Sequence, residues 1–435
     1  MSLLQTRSPA KPWTPSRVRA LLRSRGPTSI RFRRRVAVLT GAIAIGVIAV
    51  LFAKASDVAG AAFEHYARTW RWMPLVTTPL GFVVLVWATR RWFPLARGSG
   101  IPQVIAARER VDLGVTDLIA PRTALAKAFL TLGALLCGAS VGREGPTVQL
   151  AAAVMGLSHK AMRVSMRAGV VIAGGAAGVA AAFNTPLAGV MFAIEELASA
   201  YEQKVTLLVL SLIVIAGMVA QSLAGDYLYF GAIGAHMPIA AALFVAPAAG
   251  LVGGASGGLF ARLMLGMASG AYRVTRLTRA HPLLFAGLCG LVVAALGVAT
   301  GLTWGAGYPA ARAMILGVDA PWWFGPAKAI AALATAVAGL PGGIFAPSLA
   351  VGAGVGNLLR FLFPGDSSSA VVILGMVAYF AGVVRAPLTA VIILSETTAS
   401  RGLMLPMFAT AFIADWASQQ VCREKLYHGL ARTFA

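Results

Sequence analysis

The chain has 435 residues, is 58% hydrophobic and 12% charged, and carries a formal net charge of +22 with a mean hydropathy of +0.78. Soluble domains are nearer half apolar and a quarter charged, so a soluble globular fold is excluded. Residues 1–35 hold ten Arg/Lys and no Asp/Glu, nearly half of the net charge of +22. Such an arm reads as a topology signal and a partner for anionic lipid headgroups, not for nucleic acid, and the positive-inside rule puts it in the cytoplasm. A signal peptide would place a short apolar core and a small-residue cleavage site after a brief basic stretch, and no such pattern is visible. Cys137, Cys289 and Cys422 are far apart and the five histidines are scattered, which argues against a disulfide framework or a metal site.

Apolar runs follow at 36–53, 73–89, 205–222, 237–260, 283–303, 326–340 and 403–414. A membrane helix needs roughly 17–25 apolar residues, and the alternating strands of an outer-membrane barrel are absent. An all-α polytopic membrane protein is therefore expected. Gly/Pro punctuation at 98–102, 142–146, 341–347 and 386–387 cuts the apolar sequence into pieces too short to cross. Non-helical backbone at membrane depth is tolerated only where protein buries it or a cavity needs it.

An offset of 201 residues lays Gly142 on Gly343 and Pro146 on Pro347. At the same offset, residues 174–199 fall on 375–400 with nine of 26 positions identical, including Pro186/Pro387, Leu187/Leu388 and Glu195/Glu396. Two copies of one unit are implied, 36–225 and 226–435. Inverted repeats with a substrate site at their interface are typical of transporters. Half-helices starting at depth aim N–H groups and the positive dipole end at a common point, which suits an anion. The stretch GAGVGN (352–357) lacks the strand and βαβ unit a nucleotide loop needs, and small residues there serve close helix packing.

Most carboxylates (Asp57, Glu64, Glu109, Asp112, Asp117, Glu202, Asp226, Asp319, Asp366, Glu424) read as solvated, near segment ends or in polar loops. Glu144, Glu195, Glu196 and Glu396 lie in repeat motifs among apolar residues, where a carboxylate is costly and usually functional. Glu144 at a glycine-rich helix start can accept the N–H groups that would bind a free anion, and protonation lets it leave. The competing reading is a buried Arg143–Glu144 ion pair, although neighbours on a helix do not face each other. Glu195 has a repeat partner in Glu396, which favours a structural role such as bonding to helix ends. Glu196 aligns with Thr397 instead, so it is a candidate for proton handling, against the reading of a solvated helix end. Lys127, the lone charge in 124–138, either biases a pathway toward anions or snorkels to the interface.

These residues carry a resemblance to the CLC family of chloride channels and chloride/proton antiporters. Three signatures stand intact: GSGIP (Gly98, Ser99, Gly100, Ile101, Pro102), GREGP (Gly142, Arg143, Glu144, Gly145, Pro146) and GGIFAP (342–347, with Gly343, Ile344, Phe345 and Pro347). The family's tyrosine region matches as KLYHGLARTFA (425–435), with Tyr427. The resemblance runs from about residue 36 to the end, with the four motifs in order.

The resemblance implies two inverted halves of tilted and broken helices, and a homodimer with one pathway per subunit. Ser99 and Tyr427 would offer hydroxyls to a chloride ion, completed by the backbone N–H groups of Ile344 and Phe345. Glu144 would be the external gating glutamate and Glu196 the internal proton-transfer glutamate of the antiporter branch. Chloride and protons would be substrates, with no cofactor. Ser99 stands where nitrate-preferring relatives tend to carry proline. Gln103 departs from the acidic residue that many relatives have after GSGIP, and the nucleotide-sensing CBS pair of many relatives is not expected. The implied activity is secondary chloride/proton exchange in a bacterial inner membrane, multi-pass, with both termini cytoplasmic. The alternative is a passive, proton-gated chloride channel. An enzyme is not expected, for want of a metal cluster, a nucleophile with a base, or a cofactor loop.

Overall fold

The computed structural model describes residues 26–110, 117–197, 207–225 and 229–434. In chain order the first half contains α1 (Pro27–Thr69), α2 (Pro74–Trp92), α3 (Ile101–Arg110), α4 (Pro121–Leu136), α5 (Glu144–Ala161), α6 (Ala168–Phe183), α7 (Pro186–Phe192) and α8 (Leu207–Ala224). The second half contains α9 (Ile239–Ser269), α10 (Thr275–Ala280), α11 (Pro282–Thr300), α12 (Tyr308–Ile315), α13 (Phe324–Val337), α14 (Phe345–Leu359), α15 (Ser368–Val384), α16 (Pro387–Thr398), α17 (Met404–Val421) and α18 (Leu426–Ala431).

Proline and single left-handed residues set these boundaries. Proline opens α1, α2, α4, α7, α11 and α16, because a first turn needs no proline N–H and the ring presets φ. Asn184 (φ 59°) and Arg385 (φ 62°) end α6 and α15 in left-handed conformation and turn the chain into α7 and α16. The two residues are 201 positions apart, so the repeat found in the sequence is a repeat of backbone geometry.

The copies also pack alike. α5 lies on α6 as α14 lies on α15, and α1 lies on α8 as α9 lies on α17. Repeat mates meet each other where α2 packs on α11 and α7 on α16. Glycine permits the closest approaches: a Cβ at Gly254 of α9 would stand 2.4 Å from the carbonyl oxygen of Ala414 on α17. Backbone-to-backbone packing of this kind is how helices associate where lipid removes the hydrophobic drive.

Among the described residues, three helices are long and apolar enough to cross a membrane: Thr28–Thr69, Ile239–Ser269 and Pro282–Thr300. Their outer faces expose large apolar side chains such as Leu51, Phe244 and Leu291, as a lipid-facing surface does. Two expectations need correction. Asp57 and Glu64 are not at a segment end but inside α1, which continues 16 residues past the apolar run ending at 53. A helix can leave the apolar region, because its ladder is satisfied internally; Glu64 there pairs with Arg68 one turn on, at 3.5 Å. The basic arm is also not separate throughout, since α1 begins at Pro27. Residues 1–25, Asp112, Glu202 and Asp226 lie outside the described residues.

Candidate functional site

Three glycine loops knit together by backbone alone. Gly142 N–H donates to the Gly343 carbonyl at 2.7 Å, and Gly343 N–H donates to the Gly142 carbonyl at 2.7 Å, as one antiparallel pair. Gly342 N–H donates to the Gly98 carbonyl at 3.1 Å. α3, α5 and α14 all start from this junction. Gly100, at φ +111°, has room for no side chain: a Cβ would lie 2.4 Å from the Gly145 carbonyl oxygen. Ile101 and Pro102 at the start of α3, Pro146 in the first turn of α5 and Pro347 in the first turn of α14 are buried there.

The loop before α3 is held from below. Gln103 Oε1 accepts from Gly100 N–H at 3.1 Å, and its Nε2 donates to the Leu95 and Arg97 carbonyls at 3.1 and 2.6 Å. A carboxylate at that position could accept but not donate, so the amide does two jobs. Lys127, fully buried on α4, does not snorkel; its Nζ donates to the Arg97 and Gly98 carbonyls at 3.0 and 2.6 Å. Its repeat mate Lys328 on α13 is also fully buried and donates to the Thr303 and Gly305 carbonyls at 2.9 and 2.7 Å. Thus Gly305–Pro309 (GAGYP) is the second copy of GSGIP, at an offset of 207. Gly98 and Gly100 and their mates Gly305 and Gly307 all have positive φ.

The Ser99 and Tyr427 hydroxyls are neighbours. Both are buried, and neither makes a protein hydrogen bond of standard geometry. Ile344 and Phe345 begin α14 beside them, where the first N–H groups of a helix have no intrahelical acceptor. The Phe345 ring packs against Phe380 at 4.8 Å, Phe192 at 5.7 Å and Tyr427 at 5.8 Å between centroids, which fixes the tyrosine. Buried hydroxyls and helix-start N–H groups suit an anion held without a full countercharge.

Glu144 is fully buried at the first position of α5. Its Oε1 accepts from the Tyr308 hydroxyl. Its Oε2 lies against Gly142 and the start of α14: a Cβ on Gly142 would stand 2.3 Å from Oε2 and 3.3 Å from the Ala346 nitrogen. Arg143 turns away from it. Arg143 donates to Asp57 Oδ1 at 2.6 Å, to the Ala53 carbonyl at 2.7 Å and to the Tyr229 hydroxyl at 2.6 Å. Beside Arg143 and Tyr308, the partner of Glu144, is a cavity of about 580 Å³ lined by Asp57, Arg143, Tyr229, Tyr308 and Arg312. A second, of about 230 Å³, is lined by Arg97, Ser99, Ile344, Thr433 and Phe434. Val141 lines both.

Glu195 and Glu396 cap each other's copy. Glu195 accepts from the Leu388 and Thr389 N–H groups at 2.9 and 2.6 Å, and from the Thr389 hydroxyl at 2.7 Å. Glu396 accepts from the Leu187 and Ala188 N–H groups at 3.3 and 2.9 Å. Both are bonded to helix starts, the role their symmetry suggested. Glu196 is not a solvated helix end; it is fully buried in a π-helical turn (Ala193–Leu197) after α7. Lys425 Nζ lies 3.6 Å from its Oε2 and His428 Nδ1 3.2 Å from its Oε1.

Sequence reasoning missed Tyr308, Lys328, Tyr229 and His428. The GxGxP echo at Gly305–Pro309 was the available signal for the first, and the 201 offset from Lys127 for the second. Nothing local marks Tyr229 or His428.

A helical membrane protein of two copies set in opposite senses, with broken helices converging on glycine loops, belongs to the transport class and not to the enzymes. The family model described as voltage gated chloride channel matches residues 80–419, and the chain belongs to this family, the CLC proteins. A ClcB-like protein of Ralstonia nicotianae, named as a chloride channel, is 31% identical over 399 residues, covering 83% of this chain and 90% of the relative. The solved structure of a slow cyanobacterial Cl−/H+ antiporter superposes with a TM-score of 0.77 at 22% identity, over 92% of this chain and 97% of that one. A CLC-type fluoride/proton antiporter gives 0.74 at 21% identity, over 94% and 98%. These likenesses establish the fold that the motifs implied.

Proposed function

We propose that the protein is a secondary chloride/proton antiporter. The observation that carries this reading is Glu144: a fully buried carboxylate at the start of α5 and against the start of α14. There it competes with an anion for the same N–H groups. Protonation removes its charge, frees it to leave, and opens the route past Val141. Ser99, Tyr427 and the N–H groups of Ile344 and Phe345 bind the chloride. Glu196 passes protons between Glu144 and the cytoplasmic side; a buried carboxylate with ionisable neighbours is suited to this, and a plain channel has no use for it. Copies 36–225 and 226–435 form one pathway, two subunits pair as a homodimer, and both termini face the cytoplasm of a bacterial inner membrane.

A passive proton-gated chloride channel is the second reading, favoured by the name of the Ralstonia relative. Purified protein in liposomes under a chloride gradient separates the two. Uphill proton movement in wild type, lost in Glu144→Ala and Glu196→Gln while chloride still flows, is the result expected of the antiporter. Chloride flux with no proton movement in wild type establishes the channel.

A further inference from the structure

Three features of this chain border the proposed cycle: the lysine pair Lys127/Lys328, the vestibule of Tyr229 and Tyr308, and the side chains clustered around Glu196. The lysines are saturated by backbone carbonyls, and the tyrosines belong to the gate already described. The third cluster goes further.

Lys425, just ahead of α18, and His428 within it bring their side chains to the turn that carries Glu196, and α3 packs against α18. Two of its flanking groups reach the buried carboxylate, and they differ in kind. Lys425 is tethered: its Nζ donates to the Glu195 carbonyl at 3.1 Å and stands 3.6 Å from Glu196 Oε2. His428 carries an imidazole, whose two ring nitrogens let one take up a proton while the other gives one away. Its Nδ1 is shielded from solvent and 3.2 Å from Glu196 Oε1, though not aligned for a hydrogen bond of standard geometry, while its side chain as a whole is 31% exposed. The exposed surface of the side chain therefore lies away from Nδ1. Glu196 has no exposed surface of its own, so a proton reaching it must come through a neighbour. The other charges facing α18 are committed elsewhere. Arg108 on α3 donates to the Leu197 carbonyl. Arg432 pairs with Glu424 at 2.7 Å. Glu109 and Arg110 lie at the outer end of α3, Arg262 is the one charge on α9, and α15 brings no Asp, Glu, Lys, Arg or His.

We infer that His428 is the entry carrier of the proton path, handing protons between bulk water and Glu196. The imidazole takes a proton on Nε2 and, once the ring swings into line with the carboxylate, releases the Nδ1 proton to Glu196 Oε1, which becomes a neutral carboxylic acid. The ring then returns to its starting tautomer by rotation or by proton exchange with water. The reverse sequence discharges a proton. The inference rests on the exchange reading above, because a channel needs no such carrier.

The test measures coupled chloride and proton flux in liposomes across a pH series, for wild type, Glu196→Gln, His428→Ala and the volume-conserving His428→Gln. Both histidine variants are expected to slow coupled exchange about a hundredfold toward alkaline pH, the low end of a lost proton-transfer group. The deficit narrows as the medium becomes acidic and protons are plentiful. Free imidazole in the medium is expected to restore the Ala variant and not Glu196→Gln, a result no purely structural role for His428 would produce. If wild type exchanges and Glu196→Gln uncouples it while both histidine variants keep the wild-type rate, or are slowed equally at every pH without rescue, the inference about His428 is overturned and the exchange reading stands. If wild type moves no protons, both are overturned.

Discussion

Gly142 and Gly343, 201 residues apart, exchange both of their backbone hydrogen bonds at 2.7 Å. Each is the other's repeat mate, so the pair marks the pseudo-two-fold axis that relates the copies. Reciprocal contacts recur along it: Glu195 caps α16 while Glu396 caps α7. The axis passes where the helix starts converge, so the proposed anion seat would be built by both copies and by neither alone.

A methyl group at Gly142 would occupy the position now held by Glu144 Oε2, 2.3 Å away. Gly142→Ala is expected to push the carboxylate from the start of α14. Flux measurements should show chloride transport retained and the proton-to-chloride ratio falling toward that of Glu144→Ala. An unchanged ratio with full flux would mean the carboxylate does not work from this seat.

Tyr308→Phe removes the hydroxyl that donates to Glu144 Oε1. A hydrogen bond to a charged group contributes about 1.5–3 kcal/mol. The seated state of the gate weakens by that order, and chloride flux at alkaline pH, where the gate is closed most, is expected to rise about tenfold. The same variant should lower the unfolding temperature by no more than that hydrogen bond accounts for, since the ring stays packed on Tyr229 at 4.3 Å.

Glu195→Gln and Glu396→Gln should lower thermal stability without altering the proton-to-chloride ratio. Each removes a charged acceptor from a helix start, at about 1–3 kcal/mol. Glu195 accepts three bonds and Glu396 two, the latter longer. The larger loss in detergent unfolding is therefore expected for Glu195→Gln.

Lys127→Met leaves the Arg97 and Gly98 carbonyls without their buried donor. At about 1–3 kcal/mol for each group so abandoned, the loop that positions Ser99 loosens. Calorimetric titration should then report weaker chloride binding together with a lower unfolding temperature. Tight binding with lowered stability would confine Lys127 to a purely structural role.

Much of this protein is determined by local sequence. Apolar length, proline at helix starts and left-handed Asn184 and Arg385 at helix ends specify the elements, because each depends only on residues within a turn of itself. The 201-residue repeat and the glycine motifs specify two copies and a backbone-lined seat, since only glycine tolerates the Gly100 conformation against Gly145. The tertiary structure alone decided what each charged side chain meets. Arg143 turns to Asp57 and not to its neighbour Glu144, Tyr308 reaches Glu144 across 164 positions, and His428 reaches Glu196 from the far end of the chain. Such contacts join segments with no shared period, and the six-residue slip between the copies ahead of α13 hides the GAGYP echo from a single offset. Their geometry follows from how the copies pack about the axis, which local propensity does not contain.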